Sequence, residues 1–442
     1  MLPRSTRCCS PPLMTFFRSG TVETVGNSPG KPFGRRWRCW PGNEGCSAES
    51  PSQSAWFTIC QLHRGETQEN RAMRRRLALF TVEMLLAGWM LFTPAATSAA
   101  APPADLDPDS VLHIMASAAD WQLAHPSTHP LDDWTQATFD AGVMALAEVV
   151  PDGKYLDAMR KMGETNQWRP GPQKHYADDW AVLATYAKLF MVDKDKRMLE
   201  PGLDLFNFLV TQPFNEPLIW QNDIVTRELA WCDALFMGPP ALSAMTVATG
   251  DQKYLDLADR LWWKTTDYLY DKHEHLYFRD SRYFDSREPN GQKVFWSRGN
   301  GWVLAGLARL LQDMPATYPD RPRYEALFKD MAERVVSLQG PDGYWRSSLL
   351  DAESVPNPET SGTALFTYGL AWGINAGLLN KAHYKAAVQR GWPALVNAMH
   401  PDGMLGWVQP IGYEPATTTP DLTEVYGVGA LLLAGSEVYR LT

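Results

Sequence analysis

The body of this 442-residue chain has almost no cysteine. Five of the six cysteines, Cys8, Cys9, Cys39, Cys46 and Cys60, fall in the first 60 residues, which leaves Cys232 alone afterwards. A single thiol can neither close an intrachain disulfide nor build a cysteine-based metal site, so both are excluded from the body. Beyond residue 100 there is also no glycine-rich loop ending in Lys and Ser or Thr, no His-Glu-x-x-His and no Gly-x-Ser-x-Gly. Phosphate-loop chemistry, zincin chemistry and a serine elbow therefore have no support. Positive charge is scarce too. Residues 1–100 hold 12 of the 41 Lys and Arg and 6 of the 50 Asp and Glu, leaving 29 against 44 and a balance of −15 for the body. Such a body is a poor general nucleic-acid binder, and any anionic ligand must be met by a few local arginines against the overall field.

The first hundred residues have a different character. Residues 1–72 mix Ser, Pro, Gly and Arg without sustained apolar periodicity, so no packed domain is expected there. From Met73, Arg74-Arg75-Arg76 precede an apolar run from Leu77 to Phe92, then Pro94 and small residues to Ala101. That is the order of a secretory signal, predicted over 73–101. The natural start is then expected at Met73, the location secreted or periplasmic, and stable membrane association absent once the signal is cleaved.

What is abundant is helix pattern and aromatic side chains. Strand signals are sparse. From about residue 105 to 442, apolar helices rich in small residues alternate with amphipathic ones. The apolar set is predicted at Thr138–Val149, Trp180–Phe190, Ala234–Thr249, Gly301–Gln312, Thr363–Asn375 and Val425–Tyr439. The amphipathic set is predicted at Asp109–Ala124, Gly153–Met162, Arg197–Thr211, Gln252–Tyr270, Tyr324–Leu338 and His383–Met399. Six of each kind, the apolar ones crowding inside, predict an all-α fold, an (α/α)6 barrel. The segments leading into the inner helices then converge on one rim. They carry Asp132-Asp133-Trp134, His175-Tyr176-Ala177-Asp178-Asp179-Trp180, Trp231-Cys232-Asp233, Trp296 to Trp302, Glu359-Thr360-Ser361-Gly362 and Asp421 to Glu424. Helix starts favour Asp and Ser as caps, so each alone is unremarkable. Six such segments with tryptophans beside them make a cleft of carboxylates and aromatic faces.

The chemistry this cleft can offer is carboxylate acid and base work beside aromatic platforms, which suits glycosidic cleavage. Asp233, between Trp231 and the apolar Leu235, Phe236 and Met237, is expected to have a raised pKa. Asp178 or Asp179 would be its partner. His175 is the one histidine at the rim, better suited to substrate contact than to a metal. Cys232 reads as a buried small residue. In Trp296-Ser297-Arg298-Gly299-Asn300-Gly301-Trp302, the glycines allow close approach or positive φ, and the arginine fork suits a carboxylate.

The Trp-x-Arg-Gly-Asn-Gly-Trp stretch, Trp231-Cys232-Asp233 with Met237, Ala177-Asp178-Asp179-Trp180 and Glu359 to Ala364 together resemble glycoside hydrolase family 105. That family comprises the unsaturated rhamnogalacturonyl hydrolases, relatives of the family 88 unsaturated glucuronyl hydrolases. The resemblance runs from about Trp134 to Leu441. It implies an (α/α)6 barrel and removal of a Δ4,5-unsaturated uronic acid from lyase-generated, pectin-type oligosaccharides by hydration of the vinyl ether, with no cofactor and no metal. It implies Asp233 as the acid and base, Asp178 rather than Asp179 as second carboxylate from an interval of 55 residues, and Trp231, Trp296 and Arg298 at the sugar. Trp302, His175, Asp179 and Met237 complete the expected substrate surface. Leu276-Tyr277-Phe278-Arg279 places Arg279 where family members often have His, within reach of the carboxylate or of a neighbouring sugar. Two other readings are kept open: another (α/α)6 carbohydrate enzyme, lyase or ordinary glycosidase, and a noncatalytic sugar-binding protein.

Overall fold

The computed structural model describes residues 106–442; the expected signal segment and residues 1–72 lie outside the described residues. Apart from one isolated helical turn, Ala234–Met237, twelve helices follow one another among the described residues. They are α1 Pro108–Ala124, α2 Trp134–Val149, α3 Lys154–Thr165, α4 Leu183–Asp193, α5 Glu200–Val210 and α6 Pro239–Thr249. The second half comprises α7 Lys253–Leu269, α8 Ser297–Asp313, α9 Arg321–Ser337, α10 Thr360–Asn375, α11 Lys381–Asn397 and α12 Val425–Leu441. Local chemistry sets many of the starts. Asp133 Oδ1 accepts from Thr135 N at 2.9 Å ahead of α2, and the Glu359 carboxylate accepts from Ser361 and Gly362 N at 2.8 and 2.7 Å ahead of α10. Each such cap satisfies amides that the first helical turn leaves without partners.

The two sets differ in how they are buried. In α10 every residue from Thr360 to Ile374 is buried, whereas α9 buries one stripe, Tyr324, Leu327, Phe328, Met331, Ala332 and Val335. A helix buried all round belongs inside and an amphipathic one outside. The even-numbered helices close a ring: α2 packs on α4, α4 on α6, α6 on α8, α8 on α10, α10 on α12 and α12 on α2. The odd-numbered helices cover it, α1 on α12, α3 on α2, α7 on α6, α9 on α8 and α11 on α10. This is the expected (α/α)6 barrel of six helical hairpins. Small residues let the ring close: a Cβ on Gly142 of α2 would stand 2.4 Å from Gly429 O of α12.

Several helix starts shift from the sequence expectation, and three shifts among the inner helices have a local cause. The inner helix expected over Ala234–Thr249 breaks at Gly238, because Pro239 and Pro240 bring no amide to continue it and instead open α6. The second inner helix follows a 3-10 turn, Ala177–Trp180, and begins at Leu183. The third difference concerns α8, which starts at Ser297 rather than Gly301. Ser297 N is held by Ser347 O at 2.9 Å, so extended chain turns into helix one residue after Trp296. Gly299 and Gly301 are therefore helical and have no positive φ; they serve close approach. Cβ atoms there would lie 2.9 Å from the Trp296 ring and 2.9 Å from Leu365 Cβ. Among the described residues the one small sheet pairs Tyr270–Asp271 with Leu276–Tyr277, antiparallel.

Candidate active site

Residues at or just before the N-terminal ends of α2, α4, α6 and α8 line a cavity of about 210 Å³. Drug-sized pockets span roughly 300–1,000 Å³. A space this small takes one terminal ring rather than the interior of a chain. Asp178, from the 3-10 turn before α4, and Asp233, just before the helical turn that precedes α6, both line it. Trp134, Tyr176, Trp231 and Met237 supply apolar wall, Arg279 and Arg298 supply charge, and Ile411, Gly412 and Tyr413 form one side of the mouth.

The two carboxylates differ in surroundings. Asp178 is buried, and its Oδ1 has no hydrogen-bond partner. Burial drives its pKa up to about 7 against the pull of the Tyr176 hydroxyl, and the Asp233 charge adds to the rise. Asp233 instead faces the Arg279 guanidinium, Nε to Oδ2 at 3.5 Å, and accepts the Cys232 S–H at 3.4 Å. The upward displacement by burial expected of a rim carboxyl is found at Asp178, while an arginine stands beside the Asp233 carboxylate. Cys232 is fully buried, and its backbone N–H donates to Arg279 O at 2.8 Å, which ties the Asp233 segment to the Arg279 segment.

Asp179 is turned away from the cavity. Its Oδ2 accepts from Gln173 N at 2.6 Å, and burial raises its pKa to about 6. It shapes the turn that presents Asp178, the one of the two neighbours that lines the cavity.

Arg298 lines the cavity floor with 0% exposure. Its terminal nitrogens donate to Gln409 O and Pro410 O, each at 3.1 Å, so the fork expected for a ligand carboxylate grips the 409–412 segment. Nε of Arg298 has no hydrogen-bond partner, and Nε of Arg279, likewise without a hydrogen bond, faces the Asp233 carboxylate at 3.5 Å. One buried arginine N–H on the cavity thus awaits an acceptor.

Besides Asp179, three further expected contact residues lie off the cavity lining. Trp296 is buried behind the wall, its N–H donating to Gln409 Oε1 at 2.9 Å and its ring 4.3 Å from the Arg298 guanidinium. Trp302 sits in the core, its ring centroid 4.7 Å from that of Phe236. A residue six places into the sequence motif has by then travelled more than a helical turn below the rim. His175 packs against Phe208 and Phe214, outside the cavity lining.

Trp134 and Tyr176 stand in rim segments read from the sequence, yet were not singled out as contacts. The Ile411–Tyr413 mouth was missed altogether. Its signal is length: the stretch between α11 and α12 far exceeds an ordinary connection, and long loops in compact domains tend to be functional.

The fold and cleft have relatives. The profile of Glycosyl Hydrolase Family 88 matches residues 109–442. An unsaturated 3S-rhamnoglycuronyl hydrolase of Formosa agariphila is 41% identical over 346 residues, 74% of this chain and 90% of that protein. A solved chain described as a polysaccharide lyase is 33% identical with a TM-score of 0.69, covering 75% of this chain and 97% of its own. A Bacteroides vulgatus structure described as a glycosyl hydrolase of family 88 is 30% identical with a TM-score of 0.70, covering 76% of this chain and all of its own. With the barrel, the paired rim carboxylates and a family match across nearly all described residues, the chain is a glycoside hydrolase and belongs to Glycosyl Hydrolase Family 88.

Proposed function

We propose that this hydrolase removes a Δ4,5-unsaturated uronic acid from the non-reducing end of lyase-generated oligosaccharides, with rhamnose as the next sugar. The observation that carries the reading is one ring-sized cavity lined by Asp178, Asp233, Arg279 and Arg298. The arginines suit the uronate carboxylate, a role expected of Arg298 and open to Arg279. Asp233 delivers a proton to C4 of the double bond, and the cation left at C5 takes the oxygen of water, whose proton returns to Asp233. The hemiketal opens as the C5–O5 bond breaks, C1 becomes a hemiacetal, and the aglycone leaves as an alcohol. Asp178, holding a proton near neutral pH, lies beside Asp233 without adding a second negative charge.

The similarity to a 3S-rhamnoglycuronyl hydrolase favours a 3S-rhamnose unit over the pectin-type substrate expected from the motifs. A lyase reading has a specific observation against it. A tyrosine base needs a lowered pKa, whereas burial, above all, pushes the Tyr176 phenol up from its ordinary value. The order of Arg74–Arg76, apolar run and small residues supports secretion or a periplasmic location.

The test follows the absorbance of the enol ether in unsaturated uronyl-rhamnose disaccharides. Loss of the band with wild type and a fall of at least about 1,000-fold in Asp233→Asn, with the fold intact by circular dichroism, is expected. The saturated uronyl counterpart should be inert. Turnover of the saturated compound, or no change on any unsaturated uronide, would overturn the proposal.

A further inference from the structure

Both partners of the Asp233 carboxylate fall on one oxygen. The Cys232 S–H donates to Oδ2 at 3.4 Å, and Arg279 Nε faces the same Oδ2 at 3.5 Å. Among the described residues no donor reaches Oδ1, and Asp233 lines the cavity. A donor and a positive charge beside one carboxylate oxygen hold the negative charge there, so a proton settles on the other.

Neither partner is loose. Cys232 is fully buried, and burial keeps its thiol above the ordinary range, so the S–H is retained. Its sulfur lies against the start of α8, where a Cβ added at Gly299 would press on it at 3.1 Å. The Cys232 backbone N–H donates to Arg279 O at 2.8 Å, which fixes the two partners of Oδ2 to one another.

Arg279 is also fixed from behind. Its Nη1 donates to Asp280 Oδ2 at 2.8 Å, and Asp280, with 0% exposure, accepts from Arg282 N, Nε and Nη2 at 3.0, 2.9 and 2.8 Å. Burial alone would raise the Asp280 pKa, but the bonds from Arg282 and Arg279 hold it below its ordinary value, and it stays an anion. Four donors on one buried carboxylate leave it no freedom to turn. Arg279 is thereby pointed at Asp233.

We propose that Cys232 and Asp280, neither of which lines the cavity, are positioning residues for proton transfer. Cys232 directly and Asp280 through Arg279 hold Asp233 Oδ2, and Oδ1 is the atom that exchanges protons with the substrate. The Oδ1–H bond breaks as the π pair of C4=C5 forms the C4–H bond; the oxygen of water then bonds to the C5 cation, and its proton goes back to Oδ1. Oδ2 keeps its contacts throughout, so the carboxyl need not rotate between the two transfers. This rests on the unsaturated-uronyl reading, so the test has two arms.

In the kinetic arm, turnover of the unsaturated uronyl-rhamnose disaccharide is followed in H2O and D2O, with each variant checked for folding by circular dichroism. Cys232→Ala should lower kcat about 3- to 10-fold with KM within about twofold of wild type, because a thiol is a weak donor. Cys232→Ser keeps a donor and should recover kcat to within about twofold of wild type. Asp280→Asn frees Arg279 and should lower kcat by roughly 10- to 100-fold. Arg282→Gln, at the surface, loosens Asp280 without altering its buried place and should give a smaller fall of the same kind. In the alanine and asparagine variants the solvent isotope effect on kcat should rise as proton transfer becomes the slower step. A serine variant no better than alanine, or losses confined to KM with an unchanged isotope effect, is what packing alone would give and would overturn the assignment.

The structural arm needs no turnover. Crystals of wild type should show one Asp233 oxygen against both Cys232 and Arg279, and Cys232→Ala and Asp280→Asn should show the carboxylate turned or in two orientations. That result supports the clamp even if no unsaturated uronide is hydrated. One unchanged orientation in all three proteins overturns it even if hydration stands.

Discussion

The two ends of the barrel treat charge in opposite ways. At the far end, where the even-numbered helices finish, Arg440 of α12 reaches Glu148 at 2.6 Å and Glu437 at 2.7 Å, and Asp313 accepts from Ser243 at 2.8 Å. At the rim, Asp178 Oδ1 and Arg298 Nε have no hydrogen-bond partner. A buried polar group left unsatisfied costs folding free energy, so one that persists has a reason. The far end spends its charges on one another. The rim keeps its own for a ligand, and stability and activity should therefore respond oppositely to mutation at the two ends.

The sharpest test of that contrast is Asp178→Asn. The Asp178 carboxyl, displaced to about 7 by burial, is protonated below that pH and ionised above it. If the neutral form is the working one, wild-type kcat declines as pH rises through about 7. The asparagine variant should fall by on the order of 100-fold and lose that limb of the profile. Stability moves the other way. In the unfolded chain the carboxyl ionises near 3.8, so between there and about 7 the folded state binds more protons, and folding loses stability as pH rises through that window. Asparagine removes the loss, so the variant should melt about 2–4 °C higher than wild type at pH 8, with the gain vanishing at pH 4. A variant that is both slower and less stable at pH 8 would break the contrast.

How much of this was legible in sequence depends on the kind of signal. Helix periodicity is carried by many residues at once, so the twelve helices and their alternation survived errors at single positions such as Gly238-Pro239. The rim carboxylates were legible because each precedes an inner helix. Which way a side chain points at a helix start was not. Trp296 and Trp302 bracket one motif, yet neither lines the cavity, since Trp296 turns behind the wall and Trp302 has already descended into the core. Arg298 was legible as a fork but not as one gripping the carbonyls of residues more than a hundred positions later. Asp280 and its bond to Arg279 lie in a segment without period, which only the fold brings beside Asp233.

A second test asks whether an unpartnered buried carboxylate away from the cavity serves function at all. Asp140 lies on α2, buried, with Oδ2 lacking a partner, and burial holds its pKa well above the usual carboxylate range. The sign is the same as for Asp178: the folded state keeps a proton that the unfolded state releases, so stability falls as pH rises above 3.8. Asp140→Asn should raise the melting temperature by about 2 °C at pH 8 while leaving kcat/KM on the unsaturated disaccharide within twofold of wild type. Loss of turnover there would extend the functional region down the barrel wall.

The smallest expected effect is at the far end. Arg440 is one-third exposed, so its pairs with Glu148 and Glu437 are partly screened by solvent and contribute about 0.5–1 kcal/mol together. Arg440→Ala also leaves Glu437, which is buried against the Asn375 amide at 2.8 Å, with one partner fewer. The melting temperature should drop by about 1–2 °C, the difference should shrink in 1 M salt as screening weakens the wild-type pairs, and kcat and KM should stay unchanged. Because the far end communicates with the rim only through α12 and its ring neighbours, a change in KM of more than twofold would show that the barrel transmits strain between its ends, and the two regions would have to be treated as one.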